Sequence, residues 1–238
     1  MNELKNMKIK LFSDGANITE MVNDYKLGIV SGFTTNPTLM KKSGVIHYEQ
    51  FAKDVIKAIP NMPISFEIFS DDLSHMEQEA RIIAQWGKNV YVKIPVTTTK
   101  GESTTPIIKK LSGDGLKLNI TALLTVKQVS EVTTVLSSKT PSIISIFAGR
   151  IADTGQSPIP IMRDAYKIIK PKQSIELLWA STREILNIFQ AETCGCHIIT
   201  VTPDILKKLS NIGKDLTQLS LETVQMFYND AKSAGYKI

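Results

Sequence analysis

The amino-acid sequence predicts an α/β protein built as a (β/α)8 barrel, with an additional C-terminal helix. Eight short runs rich in β-branched residues recur along the 238 residues, and stretches with helical periodicity separate them. Strands that alternate with helices are typical of a parallel sheet, and the chain is close to the roughly 250 residues of a single barrel. We therefore expect one domain over residues 1–238. An open doubly wound sheet remains the alternative, because strand order cannot be read from one sequence.

Each predicted strand is an apolar run bounded by polar or turn residues. The eight runs cover residues 8–13, 29–33, 64–69, 89–94, 116–121, 142–147, 174–180 and 197–201. Helical periodicity is clearest over residues 48–58, 72–85, 126–136, 162–169 and 182–191. Residues 215–234 predict a further long helix, whose apolar face would cover either the barrel or a neighbouring subunit. The residues of this face are Leu216, Leu219, Val224, Phe227 and Tyr228.

The composition predicts a cytoplasmic domain of enzyme size. Hydrophobic residues make up 42% of the chain, yet no stretch approaches the roughly 20 apolar residues of a membrane span. The N-terminal residues contain no apolar segment typical of a signal peptide. We therefore expect no contact with membranes.

The cysteines and the net charge limit the kinds of ligand that the chain is expected to bind. Cys194 and Cys196 lack a second ligand pair for zinc, and without a secretory signal a disulfide is not expected, so we assign them to packing. The net charge of +5 suits an anionic ligand. Because the basic residues are dispersed rather than clustered, we expect phosphorylated small molecules as partners and no nucleic acid.

Lys93 is the most informative polar residue of the chain. It lies in the predicted strand 89–94, between Val92 and Ile94. Burial of a lysine is costly and favours the neutral amine, which is a nucleophile toward carbonyl groups. For Lys93 alone, the simpler interpretation is a side chain that extends along the strand and keeps its ammonium group in water.

Polar side chains recur on the other predicted strands and just after them. Glu67, Asn119 and Thr121 occupy the polar face of otherwise apolar strands. Asp14, Asn36, Arg150, Ser181 and Arg183 follow strand ends. Because barrel active sites form at the C-terminal ends of strands, we expect these side chains to converge.

Each of these residues also has an ordinary structural interpretation. Asp14 and Ser181 are acceptable helix caps, and Asn36 before Pro37 is typical of a turn. A structural ion-pair network would explain Glu67 and Lys93 together. A buried lysine with carboxylates nearby nevertheless indicates amine or acid–base catalysis, and the recurrence on several strands favours this second interpretation.

Several motifs resemble the transaldolase family, which are class I aldolases that form a lysine Schiff base. The motifs occur in family order over nearly the whole chain, and the chain is similar to the short type of this family. They are Thr34-Thr35-Asn36-Pro37-Thr38, Val92-Lys93-Ile94-Pro95, Asn119-Ile120-Thr121-Ala122, Phe147-Ala148-Gly149-Arg150-Ile151, Ala180-Ser181-Thr182-Arg183 and His197-Ile198-Ile199-Thr200.

The resemblance implies a role for each candidate residue. Lys93 would form the Schiff base with the ketose donor, and Asp14 would accept the proton of the donor hydroxyl and return it to the acceptor aldehyde. Glu67 and Thr121 would hold and activate a water. The implied binding residues are Asn36 and Asn119 for donor hydroxyls or the Schiff-base region, Ser181 for a donor hydroxyl or phosphate, and Arg150 and Arg183 for the phosphate. No metal or cofactor would be required, because the iminium accepts the electron pair of the broken bond.

Two positions distinguish the transaldolases from related fructose-6-phosphate aldolases. In those aldolases a glutamine occupies the position similar to that of Glu67, and a tyrosine occupies the position similar to that of Phe147. A carboxylate can act as a base on water whereas an amide can only orient it, and Phe147 lacks a hydroxyl that could protonate a bound carbanion. The sequence therefore favours transfer of a dihydroxyacetone unit, from sedoheptulose 7-phosphate or fructose 6-phosphate to an aldose phosphate, as in the pentose phosphate pathway. A fructose-6-phosphate aldolase and a phosphosugar-binding barrel without turnover are the alternatives.

The resemblance also implies a homo-oligomer. Short members of the family form rings through their C-terminal helices. Residues 215–234 could serve the same purpose here.

Overall fold

The computed structural model describes residues 7–238, so residues 1–6, on which the expectation of no signal peptide partly rests, lie outside the described residues. Eight parallel strands close into a barrel in sequence order, and the last strand pairs with the first. The (β/α)8 prediction is confirmed, and the open sheet is excluded. The strands are β1 (Lys10–Asp14), β2 (Gly32–Thr34), β3 (Ile64–Glu67), β4 (Val90–Pro95), β5 (Leu118–Leu123), β6 (Ser142–Ile146), β7 (Ile175–Trp179) and β8 (Ile198–Val201).

Helices follow the strands on the outside of the barrel. They are α1 (Ile18–Leu27), α2 (Pro37–Lys42), α3 (Tyr48–Ala58), α4 (Leu73–Ala84), α5 (Thr105–Gly113), α6 (Val126–Val135), α7 (Ala148–Ala152), α8 (Ile159–Ile169), α9 (Leu186–Thr193), α10 (Pro203–Lys207) and α11 (Leu216–Ser233), with a 3₁₀ turn at Lys208–Asn211. The helix predicted over residues 48–58 has the bounds of α3. None of the helices within residues 7–238 combines the length and apolar composition needed to cross a membrane.

One predicted helix begins later than expected. The stretch 182–191 is helical only from Leu186, because the chain first forms a loop that the Asn187 side chain holds by accepting hydrogen bonds from the Arg183 and Glu184 backbone N–H groups. Ser181 has a positive φ of 64°, which a helix N-cap does not adopt. The interpretation of Ser181 as a cap is therefore wrong.

The apolar core has two parts, which together position the site. A large cluster fills the space between the strands and the surrounding helices, and includes the two buried cysteines, as expected. A smaller cluster fills the barrel interior around Phe12, Leu178 and Ile198. Gly32 makes room for the Phe12 ring there, since a Cβ atom at Gly32 would lie 2.5 Å from it. This packing closes the barrel below the polar residues at the strand ends.

Helix α11 confirms the prediction of a long C-terminal helix. It does not confirm that this helix packs on the barrel. It contains no buried residue, and Phe227 and Tyr228 are 63% and 66% exposed. Its apolar face is therefore not covered by the rest of the chain. The interpretation that this face covers the barrel is wrong, whereas packing against a neighbouring subunit stays a prediction.

Candidate active site

A cavity of about 370 Å³ opens at the C-terminal ends of the strands. Nine of the ten residues singled out in the sequence line it, and Asn119 lies outside its lining. The nine are Asp14, Asn36, Glu67, Lys93, Thr121, Phe147, Arg150, Ser181 and Arg183. Barrel closure is what brings them together, because they come from seven different strands or the segments that follow them.

Lys93 lies in the centre of this arrangement. Its side chain is buried, and its Nζ atom donates a hydrogen bond of 2.9 Å to the Thr35 carbonyl oxygen. The Glu67 Oε2 atom is 3.3 Å from Nζ, and the two residues are register partners on β3 and β4. Because only 6% of Lys93 is exposed, the interpretation of a side chain that extends into water is wrong.

Asp14, the last residue of β1, lines the same cavity as Lys93. Its Oδ1 atom accepts a hydrogen bond of 2.8 Å from Thr34 Oγ1, and Asn36 Nδ2 lies 3.5 Å from both carboxylate oxygens. Burial is the dominant effect on this carboxyl group and raises its pKa, whereas Lys93, Thr34 and Asn36 oppose the shift. Asn17 rather than Asp14 caps α1, so the cap interpretation of Asp14 is wrong.

Asn36 contributes to the helix and to the site at once. Its Oδ1 atom accepts the Leu39 backbone N–H at 2.9 Å and so caps α2, at which Pro37 is the first residue. The cap fixes the side chain so that Nδ2 is left to face Asp14.

Thr121 lies next to a β-bulge in β5. The register with β6 shifts between Ile120 and Leu123, and Ala122 has a positive φ of 63°, which non-glycine residues seldom adopt. The Thr121 hydroxyl is buried and has no hydrogen-bond partner among residues 7–238. An unpaired buried hydroxyl costs about 1–3 kcal/mol, so this group is well suited to bind a polar molecule in the cavity.

Asn119 lies two positions before Thr121, deeper in the barrel. It is fully buried, its Nδ2 donates to Ser65 Oγ at 2.9 Å, and its Oδ1 accepts from Ser145 Oγ at 2.6 Å. Neither serine was predicted from the sequence to belong to the site. Strand alternation could have identified Ser65, because it shares a strand face with Glu67.

The two arginines lie on the exposed rim of the cavity. Arg183 donates to the Asp153 carboxylate from Nε at 3.1 Å and from Nη2 at 2.5 Å, and its Nη1 donates to the Ser181 carbonyl oxygen at 3.1 Å. The hydrogen bonds from Arg183 lower the pKa of Asp153. The Arg150 guanidinium lies 5.5 Å from the Phe147 ring centroid.

A close backbone approach joins the two arginine-bearing segments. A Cβ atom at Gly149 would lie 1.6 Å from the Ser181 carbonyl oxygen, so only glycine fits there. The contact holds the start of α7, which carries Arg150, against the loop after β7, which carries Arg183. Both guanidinium groups are thereby brought to the same rim.

Three threonines line the cavity although no pattern in the sequence assigned them a role. Thr34 Oγ1 lies 2.5 Å from Thr200 Oγ1, and Thr182 Oγ1 donates to the Thr200 carbonyl oxygen at 2.7 Å. The only available signal was that each lies within a motif of the family resemblance. No three His, Cys, Asp or Glu side chains within residues 7–238 come together to form a metal site.

Comparisons with known proteins give a matching family, similar sequences and a similar fold. The family described as Transaldolase/Fructose-6-phosphate aldolase matches residues 11–238. A "Probable transaldolase" from Dehalococcoides mccartyi is 35% identical over 84% of this chain and 90% of its own length, and one from a Thermoanaerobacter species is 32% identical over 97% and 100%. A crystal structure described as a member of the dihydrodipicolinate synthase family, from Coccidioides immitis, superposes with a TM-score of 0.58 at 12% identity, over 81% of this chain and 66% of that one. At that identity the likeness concerns the fold alone.

Proposed function

Because the chain belongs to the transaldolase/fructose-6-phosphate aldolase family, we propose that it is a transaldolase. It would transfer a dihydroxyacetone unit from a ketose phosphate to an aldose phosphate through a Schiff base on Lys93. The observation that carries this proposal is a buried lysine amine in a cavity that also contains the carboxylates of Glu67 and Asp14. Such a combination suits amine catalysis supported by proton transfer.

The first step would join Lys93 to the donor. The Lys93 ammonium first gives one proton to Glu67, and the neutral Nζ then attacks the ketone carbon. A second Nζ proton passes to the carbonyl oxygen, which becomes a hydroxyl, and loss of that hydroxyl as water leaves an iminium. Glu67, 3.3 Å from Nζ, can accept the amine proton and donate one to the departing water. The unpartnered Thr121 hydroxyl can hold this water.

The second step would break the carbon–carbon bond. Asp14 removes the proton from the hydroxyl on the departing carbon of the bond that breaks, that carbon becomes the aldehyde of the leaving aldose phosphate, and the bonding electron pair moves into the iminium. The product on Lys93 is a neutral enamine. The raised pKa of Asp14 suits a group that takes up a proton and later gives it back.

Transfer would then run these events in reverse with a second aldehyde. The enamine carbon attacks the acceptor carbonyl, and the protonated Asp14 gives its proton to the new hydroxyl. Water held by Glu67 and Thr121 adds to the iminium, the carbon–nitrogen bond breaks, and the amine of Lys93 is restored.

The rim arginines support phosphorylated sugars as substrates. Arg150 and Arg183 place two guanidinium groups at the mouth of the cavity, and a guanidinium binds a phosphate through paired hydrogen bonds. Asp153 holds the Arg183 fork in one orientation. The basic charge of the whole chain, +5, is favourable for anionic substrates.

Free aldol cleavage is the second candidate function, because the matching family includes fructose-6-phosphate aldolases. Glu67 and Phe147 favour transfer. The Phe147 ring lines the cavity and offers no proton to the enamine, so the bound dihydroxyacetone unit persists until an aldehyde arrives. A sugar-binding barrel without turnover is less consistent with Lys93, Asp14 and Glu67 lining one cavity.

Product analysis distinguishes these functions. The purified protein is incubated with fructose 6-phosphate, with and without erythrose 4-phosphate, and the products are quantified by chromatography. We expect sedoheptulose 7-phosphate and glyceraldehyde 3-phosphate with the acceptor, and only traces of product without it. Free dihydroxyacetone as the main product in both reactions would assign the chain to the aldolases, and no product in either would favour binding without turnover.

A further inference from the structure

Three side chains form a hydrogen-bonded chain across neighbouring strands of the barrel. Thr200 on β8 contacts Thr34 on β2 through their hydroxyl oxygens, 2.5 Å apart, and Thr34 in turn contacts Asp14 Oδ1 at 2.8 Å. Thr200 and Thr34 are 4% and 3% exposed. Both hydroxyls are therefore largely shielded from solvent, and a hydrogen bond in such a place is electrostatically stronger than in water.

The direction of this chain follows from counting protons. Ionised Asp14 can only accept, so the single hydroxyl proton of Thr34 is donated to Asp14. Thr200 must then donate its own proton to Thr34 Oγ1. Among residues 7–238 the Thr200 hydroxyl contacts no other hydrogen-bonding partner, which makes Thr200 the start of the chain and Asp14 its end.

The reverse direction is less favourable. If Asp14 carries a proton and donates it to Thr34, then Thr34 donates to Thr200, whose proton has no acceptor among the described residues. An unpaired buried donor has a free-energy cost. Because an ionised carboxylate is also a stronger hydrogen-bond acceptor than a protonated carboxyl group, the chain of hydroxyls stabilises the ionised form of Asp14 relative to the protonated form.

We propose that Thr200 is a positioning residue, which acts through Thr34 to hold the Asp14 carboxylate ready to accept the substrate proton and to release it again. This inference rests on the function proposed above for Asp14. Burial raises the pKa of Asp14, and the hydrogen bond from Thr34, which Thr200 supports, lowers it. The Thr182 hydroxyl, which donates to the Thr200 carbonyl oxygen, fixes the end of β8 and so the origin of the chain.

Besides Asp14, four charged side chains line the cavity. Lys93 is the cation that lowers the Asp14 pKa most strongly, and Glu67, Arg150 and Arg183 also line the cavity. A substitution of Thr200 leaves all four in place. A change in the titration of Asp14 is therefore attributable to the hydroxyl chain.

The decisive experiment compares the pH dependence of kcat/KM in the wild type, Thr200→Val and Thr200→Ser. Valine keeps the shape of threonine but removes the donor, so the acidic limb of the profile should move to higher pH by about 0.5–1 unit. Serine keeps the hydroxyl and should restore the wild-type limb. Thr133→Val, which removes a buried hydroxyl on α6 outside the cavity, is the matched control and should not move it.

The result that overturns the inference is a Thr200→Val profile with the acidic limb of the wild type. Should this variant fail to fold, Thr200→Ala removes the same hydroxyl without adding bulk, and the same shift is expected.

A second readout separates this inference from the proposed function. The carboxyl carbon of Asp14 is titrated by ¹³C NMR in the wild type and in Thr200→Val, and assigned with Asp14→Asn. A higher pKa in Thr200→Val supports the hydroxyl chain even if the wild type shows no transfer, in which case only the proposed function fails. Equal pKa values contradict the inference even if transfer is observed.

Discussion

Lys93 and Asp14 place opposite charges in the buried, polar upper part of the barrel. The ammonium group of Lys93 is satisfied by the Thr35 carbonyl oxygen and by Glu67, and Asp14 accepts from Thr34. Burial still raises the Asp14 pKa despite these contacts. Part of the free-energy cost of desolvating the Asp14 carboxylate therefore remains in the folded state. Such a cost is expected for a group that must exchange a proton.

Asp14→Asn should remove turnover and stabilise the protein. Because the native state holds the Asp14 proton to higher pH than the unfolded chain does, native stability falls as pH rises between the two pKa values. Above the native pKa the full cost is present. We expect this substitution to lower kcat by at least ~100-fold and to raise Tm at neutral pH.

The pH dependence of this Tm gain is the check. Calorimetry at neutral pH and at a pH near the unfolded-state pKa of aspartate should show the gain only at neutral pH. A gain of equal size at both would indicate that the buried charge is not its cause.

Phe147→Tyr should convert part of the transfer into release of free dihydroxyacetone. The added hydroxyl would lie in the cavity, where it can protonate the enamine, and general acid catalysis contributes at least ~100-fold in typical enzymes. We expect dihydroxyacetone formation from fructose 6-phosphate without acceptor to rise at least about tenfold. Phe69→Tyr, at a ring that lies outside the cavity lining and is 49% exposed, is the matched control. Unchanged release in Phe147→Tyr would remove this basis for preferring transfer.

Residues whose signal is local could be predicted from the sequence. Lys93 could be recognised because it interrupts the apolar run of one strand, between Val92 and Ile94. Thr200 could not, because its contact is with a residue 166 positions away and neither threonine is unusual in its own strand. The composition and periodicity of one sequence do not show which distant residues come into contact in the fold.

At the scale of elements, the strands and most helices follow from hydrophobic periodicity, but the irregular backbone does not. The bulge at Ala122 and the positive φ of Ser181 occur at non-glycine residues, for which neither composition nor pattern predicts this conformation. Both lie at or beside the cavity lining. Local strain of this kind is common where a fold must aim side chains at a ligand.

Gly149→Ala tests the contact between α7 and the loop after β7. The added Cβ would lie 1.6 Å from the Ser181 carbonyl oxygen, and backbone must move to relieve the clash. We expect a loss of at least about 1–3 kcal/mol of stability, measured by urea unfolding. The KM for phosphorylated donors should rise as well, since Arg150 and Arg183 are carried by these two segments.

Gly113→Ala is the matched control for this substitution. A Cβ at Gly113 meets nothing within 4 Å, and α5 should gain up to about 1 kcal/mol from the better helix former. Equal stability changes in the two variants would show that the close contact at Gly149 does not affect the stability of the fold.

At the scale of the whole molecule, α11 is the element whose apolar surface the chain itself leaves open. Leu216, Val224 and Phe227 are more than half exposed on a helix that contains no buried residue. Exposed apolar surface of this extent is typical of a protein–protein interface. The sequence predicted the helix, but its position relative to the barrel depends on tertiary contacts that periodicity does not report.

We expect the protein to form homo-oligomers through α11. Size-exclusion chromatography with light scattering should give a mass that is a multiple of 26.4 kDa. Phe227→Asp should lower it, because a charge in an apolar interface is costly. Lys232→Asp, a surface change on the same helix, is the control. A wild-type monomer would contradict this expectation.

The proposed transfer depends on a Schiff base between Lys93 and a ketose phosphate. Reduction with borohydride in the presence of fructose 6-phosphate would trap this intermediate, and mass spectrometry of the digested protein would locate it. We predict a stable adduct on the peptide that contains Lys93, and none in Lys93→Met treated in the same way. No adduct, or an adduct on another lysine, would show that Lys93 does not form the Schiff base.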